Sequence, residues 1–76
     1  MNSEAAFILL PCEDRDGNPA DELVNVDNIG RVKGVNGKTV LVMRDSNDYD
    51  IWTTASMSDV LDMIRETGVR LITRGL

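Results

Sequence analysis

The stretch CEDRDGNPADE, residues 12–22, places acidic side chains at short spacing around a glycine, as calcium-binding loops do. An EF-hand loop needs an acid at position 1, a glycine at position 6 and a bidentate glutamate at position 12. If Gly17 takes position 6, position 1 falls on Cys12 and position 12 on Leu23, so both anchoring ligands are missing. The DG and NP pairs within the stretch are typical of turns. We therefore expect a charged turn between two strands and no bound metal.

The chain offers few side chains for catalysis. It contains no histidine and one cysteine, Cys12, which excludes histidine-based triads, histidine metal ligands and a thiolate zinc cage. The stretch GRVKGVNG lacks the spacing of phosphate-binding loops. The acids lie mainly in turns, where water solvates them. We expect a protein that is not an enzyme and that uses no cofactor.

The acidic charge is concentrated in the first part of the chain. The net charge is −5, of which residues 1–30 carry −6 and residues 31–76 carry +1. Such a field repels nucleic acid and attracts basic protein surfaces, so we expect no direct nucleic-acid binding. The alternative is that these acids only keep the chain soluble. The candidate partner-binding acids in this part are Asp14, Asp16, Asp21 and Glu22.

Trp52 is the most informative apolar residue. In YDIWTT it alternates with Ile51, so on a strand it shares its side with Asp50 and Thr54. One interpretation is a core tryptophan beneath a closed barrel. The other is a partly exposed anchor at a protein interface, where tryptophan is enriched. The candidate partner-binding residues in this stretch are Trp52, Tyr49 and Asp50.

Apolar patterns predict strands followed by one helix. The predicted strands lie in AAFILL, LVNVDNI, RVKGV, TVLVMR and YDIWTT, and the NG pair of VNGK predicts a type I′ hairpin. The apolar residues of SMSDVLDMIRETG fall on one side of a helix at about residues 57–67, which Ser56 caps and Gly68 ends. The stretch VRLITRGL after it is either one more strand or an ordered tail.

These elements predict a single α+β domain over residues 1–76, a small antiparallel β-meander or partly closed barrel of 4–6 strands with one C-terminal helix. The strands are apolar on both faces, and one helix covers one face. The other face requires closure of the sheet into a barrel, a second copy in a homodimer, or a partner protein. The apolar run near the start follows no basic stretch and no run is long enough to span a membrane, so we expect a cytoplasmic protein without membrane contact.

Residues 7–64 resemble the small flagellar FlbD-like proteins, the SwrD group. The similarity covers FILL, the VNVDNI stretch from Val24 to Ile29, the valines at 40 and 42, and Ser56 leading into Asp59-Val60. The loop at 13–22 is longer and more acidic than in that family, and Trp52 stands at an aliphatic position. The resemblance implies a cytoplasmic, non-enzymatic accessory protein that acts on flagellar function through contacts, with no catalytic residues to carry over.

Two functions follow from these observations. The first is a non-catalytic, regulatory interaction module that binds a protein partner through Trp52 or through the acidic stretch. The second is a small phage-type inhibitor of a host nucleic-acid machine, of the anti-CRISPR or host-takeover kind, whose acids stand in for phosphates on a basic protein surface. Binding through the acids weakens steeply as salt rises, whereas binding through Trp52 does not.

Overall fold

The computed structural model describes residues 5–72. These residues form five strands, one short 3-10 helix at Val26–Asn28 and one α-helix. The bounds of the strands and the helix are β1 Phe7–Leu10, β2 Glu22–Asn25, β3 Ile29–Val35, β4 Lys38–Met43, β5 Ile51–Thr53 and α1 Met57–Glu66.

The strands form two antiparallel sheets, one of β1 and β2 and one of the order β3-β4-β5. The α+β class and the single C-terminal helix are confirmed. The predicted continuous meander is matched only roughly, and the closed barrel is wrong for residues 5–72, where the strands do not close.

The chain divides into two sheets because the stretch LVNVDNI is not one strand. The side chain of Asn25 accepts a hydrogen bond from the backbone of Asp27 at 3.0 Å, which caps the 3-10 helix and turns the chain. Asparagine favours such local turns because its short side chain competes with the strand ladder for backbone groups. The strand ladder therefore stops at Asn25 and a new one begins at Ile29.

The carbonyl of Pro11 links the two sheets by hydrogen bonds. The oxygen of Pro11 accepts hydrogen bonds from the Thr54 amide at 2.9 Å, the Thr53 hydroxyl at 2.7 Å and the Thr54 hydroxyl at 3.1 Å. Thr53 is buried, and its Oγ1 also accepts from the Ala55 amide at 3.1 Å. These bonds join the chain after β1 to the end of β5 and so hold the acidic stretch against the three-stranded sheet.

The core lies between the sheets and α1, which packs against β1 and β3. Leu10, Leu41 and Val60 are fully buried at its centre. Ser56 caps α1 by accepting from the Asp59 amide at 3.1 Å, and Gly68 follows its end with a positive φ of 94°. The predicted helix and both of its boundary signals are confirmed.

The predicted hairpin is also confirmed. Asn36 and Gly37 have φ of 51° and 80°, and β3 pairs with β4 on either side of them. A type I′ turn requires positive φ at both central residues, which asparagine and glycine tolerate.

For the stretch VRLITRGL after the helix, the sequence allowed either one more strand or an ordered tail. The strand is wrong for residues 69–72, which form no strand, although Leu71 packs against the core. Residues 73–76 of that stretch lie outside the described part of the chain.

The outer face of the two-stranded sheet carries three exposed apolar side chains. Leu9 lies directly opposite Leu23 across β1 and β2, and Phe7 lies two residues before Leu9 on the same face. All three are more than half exposed, while Ile8, Leu10 and Val24 on the other face are buried.

Within residues 5–72, no helix is both long and apolar enough to cross a membrane.

Candidate functional site

The acidic stretch is a narrow hairpin that extends β1 and β2. Asp14 organises its tip, since its Oδ1 accepts from the amides of Asp16 and Asn18, both at 2.9 Å. Gly17 makes the turn with a φ of 85°. The expectation of a charged turn between two strands is confirmed. Because Asp14 turns one carboxylate oxygen onto its own loop, this oxygen already has partners within the turn.

Trp52 lies on the outer face of β5 and is 51% exposed. The interpretation of Trp52 as a sealed core residue is therefore wrong. Its directly opposite neighbour on β4 is Val40, which is 1% exposed although it lies outside the main core cluster. Lys33 flanks Val40 from the other side on β3. The indole and the lysine side chain are thus the direct cross-strand neighbours of Val40, and about half of the indole surface is exposed to solvent.

Tyr49 is the most exposed large apolar side chain described, at 85%. It follows a turn that is held by side chains: Asn28 donates to Asp48 Oδ2 at 2.6 Å, and the Asp45 carboxylate accepts from the Asn47 amide at 2.9 Å. The backbone that presents Tyr49 and Asp50 is therefore anchored on one side by this turn and on the other by β5. Tyrosine is enriched among the residues that dominate binding energy at protein interfaces, so this exposed ring is a candidate contact residue.

The acidic hairpin and the two aromatic residues line one groove of about 310 Å³, open to solvent, at the seam between the sheets. We call it the acidic-aromatic groove. Its walls carry four carboxylates and two aromatic rings, and no lysine or arginine of the described residues lines it. The lining residues are Cys12, Glu13, Asp14, Ala20, Glu22, Tyr49, Asp50, Ile51 and Trp52.

A second groove of about 260 Å³ continues from the first along β2. The two grooves share Glu22, Tyr49 and Ile51. The second groove adds a further carboxylate, Asp48, together with amide and apolar side chains such as Asn25 and Met43. The exposed phenol of Tyr49 therefore stands where the two grooves meet, and the combined surface is elongated.

The one thiol of the groove is a poor nucleophile. Cys12 is buried at the base of the hairpin. Burial raises the pKa of the Cys12 thiol above its ordinary value, and the negative charge of Glu22 raises it further, while a hydrogen bond with Thr53 lowers it by a smaller amount. Since the reactive form of cysteine is the thiolate, a raised pKa keeps Cys12 in its unreactive form at neutral pH. The arrangement suits packing at the floor of the groove.

Most of the predicted partner-binding residues come together, and two do not. The acidic-aromatic groove contains Trp52, Tyr49, Asp50, Asp14 and Glu22, which the sequence had assigned to two separate surfaces. Asp16 and Asp21 are exposed and lie outside its lining. Asp16 sits on the hairpin tip, and Asp21 falls between Ala20 and Glu22, whose side chains line the groove.

Sequence reasoning missed Glu13, Cys12, Ala20 and Ile51 as groove residues. Glu13 was counted among the acids but not selected. The signal that could have found it is the turn at Asp16-Gly17, because a hairpin centred there pairs Glu13 with Pro19 and continues the alternation of β1. The approach of this hairpin to β5 depends on the Pro11 carbonyl, which no sequence pattern reveals.

Among residues 5–72, no three histidine, cysteine or acidic side chains converge in a way that could hold a metal ion. The residues that line the acidic-aromatic groove supply negative charge, aromatic rings and a shallow apolar floor. Comparison of the chain with protein-family models, with curated proteins and with solved structures gives no match.

Proposed function

We propose that this protein is a non-catalytic interaction module that binds a partner protein through the acidic-aromatic groove. The observation that carries the proposal is the presence of Trp52 and Tyr49, both exposed, in one groove with the carboxylates of Glu13, Glu22 and Asp50. Exposed aromatic side chains bury a large area when a partner covers them, and tryptophan and tyrosine dominate the energies of protein interfaces.

The same groove supports binding more than catalysis. It is shallow and open, so water is not excluded from its carboxylates, and electrostatic catalysis depends on such exclusion. The thiol of Cys12 is held protonated by burial and by Glu22. In contrast, a binding surface gains from being open, because a protein segment must reach it from solvent.

The charge of the groove indicates the sign of the partner surface. Its four carboxylates have no described basic neighbour in the lining, so a basic protein segment complements them. Two settings fit this chemistry. One is a flagellar accessory role in the cytoplasm, which the resemblance to FlbD-like proteins implies. The other is an inhibitor that covers the basic, nucleic-acid-binding surface of a host enzyme, for which the −6 charge of residues 1–30 argues.

Affinity capture with matched charge variants tests the proposal. The baits are the wild type, Trp52→Ala and a groove triple variant, Glu13→Gln with Glu22→Gln and Asp50→Asn. The control is a triple variant of exposed acids on α1, outside the acidic-aromatic groove, Asp59→Asn with Asp62→Asn and Glu66→Gln, which has the same net charge as the groove variant.

We expect a partner that the wild type and the control variant retain and that Trp52→Ala and the groove variant lose. Circular dichroism and thermal unfolding of each bait separate a lost contact from a lost fold. A partner that all four folded baits retain equally would show that the protein binds through another surface. Measurable turnover by the wild type in a broad hydrolase screen would contradict the non-catalytic assignment.

A further inference from the structure

We infer that the acidic-aromatic groove receives an arginine side chain from an extended, basic segment of the partner protein. This inference rests on the proposed function and specifies the chemistry of its partner. It follows from three properties of the groove, which are the charge of its rim, the aromatic faces beside that charge, and its continuation into a second groove.

The charge of the rim selects a cation. The carboxylates of Glu13, Glu22 and Asp50 border the groove, and their side chains make no hydrogen bond or ion pair with another side chain among the described contacts. Asp14 also lines the groove, although its Oδ1 is used within its own turn. A guanidinium that enters the groove therefore meets carboxylate oxygens with free acceptor capacity, and such charge-assisted bonds are about twice as strong as neutral ones.

The aromatic rings select a cation that can stack. Trp52 and Tyr49 are 51% and 85% exposed, and both line the groove. A cation over an aromatic face is attracted by the ring quadrupole, and tryptophan provides the strongest such attraction. Arginine combines a planar group that stacks on a ring with a fork of donors that matches a carboxylate, whereas the ammonium of lysine is a compact, strongly hydrated charge. The pairing of acids with aromatic rings therefore favours arginine over lysine.

The two joined grooves select an extended segment. The second groove begins at the shared residues Glu22 and Tyr49 and adds Asp48, so a second negative site lies further along β2. Each groove has the volume of the smallest ligand pockets, about 300 Å³, which suits one long side chain. An extended chain that places basic side chains on alternate residues can occupy both grooves, because alternate side chains of a strand share one face.

The other macromolecular occupants fit less well. Nucleic acid presents phosphates, which the carboxylates of the groove repel. A second copy of this chain carries a net charge of −5 and would bring further acids to the same surface. A basic protein segment is therefore the occupant that the charge of the groove favours.

Trp52 is the only tryptophan of the chain, so its emission reports directly on the groove. The experiment titrates the intact protein with short, end-blocked peptides and follows this emission. One peptide alternates arginine with glycine, a second replaces each arginine with lysine, and a third replaces it with citrulline, which keeps the shape of arginine but carries no charge. Spermidine, a flexible polyamine without guanidinium groups, is the fourth ligand.

We expect a saturable change of emission with the arginine peptide, an affinity lower by about threefold to tenfold with the lysine peptide, and no saturation with the citrulline peptide. The groove triple variant lowers the affinity for the arginine peptide by about tenfold or more, since it removes several charge-assisted bonds. The matched control variant stays within about threefold of the wild type. Tyr49→Phe preserves binding and Tyr49→Ala weakens it, because the ring and not the hydroxyl makes the contact.

Equal affinity for the arginine and citrulline peptides would overturn the inference, as would binding of spermidine as tight as that of the arginine peptide. Absence of any binding by the arginine peptide, in a protein whose capture of a partner still depends on the groove, would also overturn it while leaving the proposed function in place. If capture itself does not depend on the groove, the proposed function fails independently.

Discussion

Strands β1 and β4 have similar sequences and different surroundings. FILL and TVLVM are both apolar at consecutive positions, so each strand presents apolar side chains to both faces of its sheet. In β4, Val40 and Leu41 point to opposite faces and both are buried. In β1, Leu10 is buried, whereas its neighbour Leu9 is 58% exposed.

The difference comes from the number of neighbours. Strand β4 is central, so cross-strand side chains flank it on both sides, among them Lys33 and Trp52 beside Val40. Strand β1 has one ladder partner, β2, and the outer face that they form has no covering layer among residues 5–72. A strand sequence that is apolar at consecutive positions therefore indicates that burial of both faces would be favourable. The position of the strand in the fold decides which face is buried.

The first prediction concerns the best-covered position. Leu41→Ala removes a fully buried side chain from the centre of the core, where the remaining atoms collapse only partly into the cavity. We expect a loss of about 2–5 kcal/mol in the free energy of unfolding, measured by urea denaturation. The matched control is Leu9→Ala, the same change on the uncovered face, for which we expect about 1 kcal/mol or less. Equal losses at the two positions would contradict the comparison.

The second prediction concerns the tether between the sheets. Thr53→Val keeps the shape of a buried side chain but removes the hydroxyl that donates to the Pro11 carbonyl at 2.7 Å and accepts from Ala55. We expect a loss of about 1–3 kcal/mol in the free energy of unfolding, because the buried Ala55 amide loses its acceptor.

Thr54→Val is the matched control for this change, since the exposed Thr54 hydroxyl donates to the same carbonyl at 3.1 Å. We expect a smaller loss there, about 0.5 kcal/mol, because water replaces the lost bond and the Thr54 amide still reaches Pro11. The tether would not be important to the fold if both valine variants unfolded at the urea concentration of the wild type.

The third prediction concerns α1, the helix that packs against β1 and β3. Ser56→Ala removes the side chain that caps α1 at the Asp59 amide. We expect a loss of about 1 kcal/mol in stability and a lower unfolding temperature in circular dichroism. Ser58→Ala, two residues further on and exposed within the helix, should be neutral or slightly stabilising, since alanine is the better helix former. A larger loss at Ser58 would contradict the assignment of the cap.

The sequence predicts this fold well where a local signal decides the conformation. The positive φ of Asn36 and Gly37, the cap at Ser56 and the stop at Gly68 each depend on neighbouring residues, and all are as expected. The division into two sheets was missed, because it depends on Asn25 turning its side chain onto the backbone of Asp27 instead of continuing a strand. Asparagine allows both outcomes, and packing elsewhere decides between them.

The candidate site was likewise predictable only in part from the sequence. The aromatic and acidic side chains were identified by type, but as two separate surfaces. Their union depends on three hydrogen bonds to the Pro11 carbonyl, a backbone group that any residue possesses. A tertiary contact of this kind leaves no signal in the composition of the sequence or in the spacing of its residues. That Glu13 and Trp52 line the same groove could therefore be learned only from the structure.

The fourth prediction sets the smallest expected effect, at Leu9, against a large one at Val40, and it tests the comparison most directly. Leu9→Lys places a charge on the outer face of β1, and Val40→Lys places the same charge on the outer face of β4. Since Leu9 is already more than half exposed, we expect its variant to stay within about 0.5 kcal/mol of the wild type. Val40 is 1% exposed, so its lysine variant loses several kcal/mol or does not fold.

The prediction is measured by urea denaturation at two protein concentrations, with sedimentation to give the mass of each species. A loss well above 1 kcal/mol for Leu9→Lys, together with a midpoint that rises with concentration in the wild type, would show that a second copy covers Phe7, Leu9 and Leu23 in solution. If the unfolding midpoint does not depend on protein concentration and Leu9→Lys leaves the stability unchanged, that face is open to water in solution. In that case lysine at position 9 also reduces aggregation, because charge on an exposed apolar strand opposes pairing with another chain.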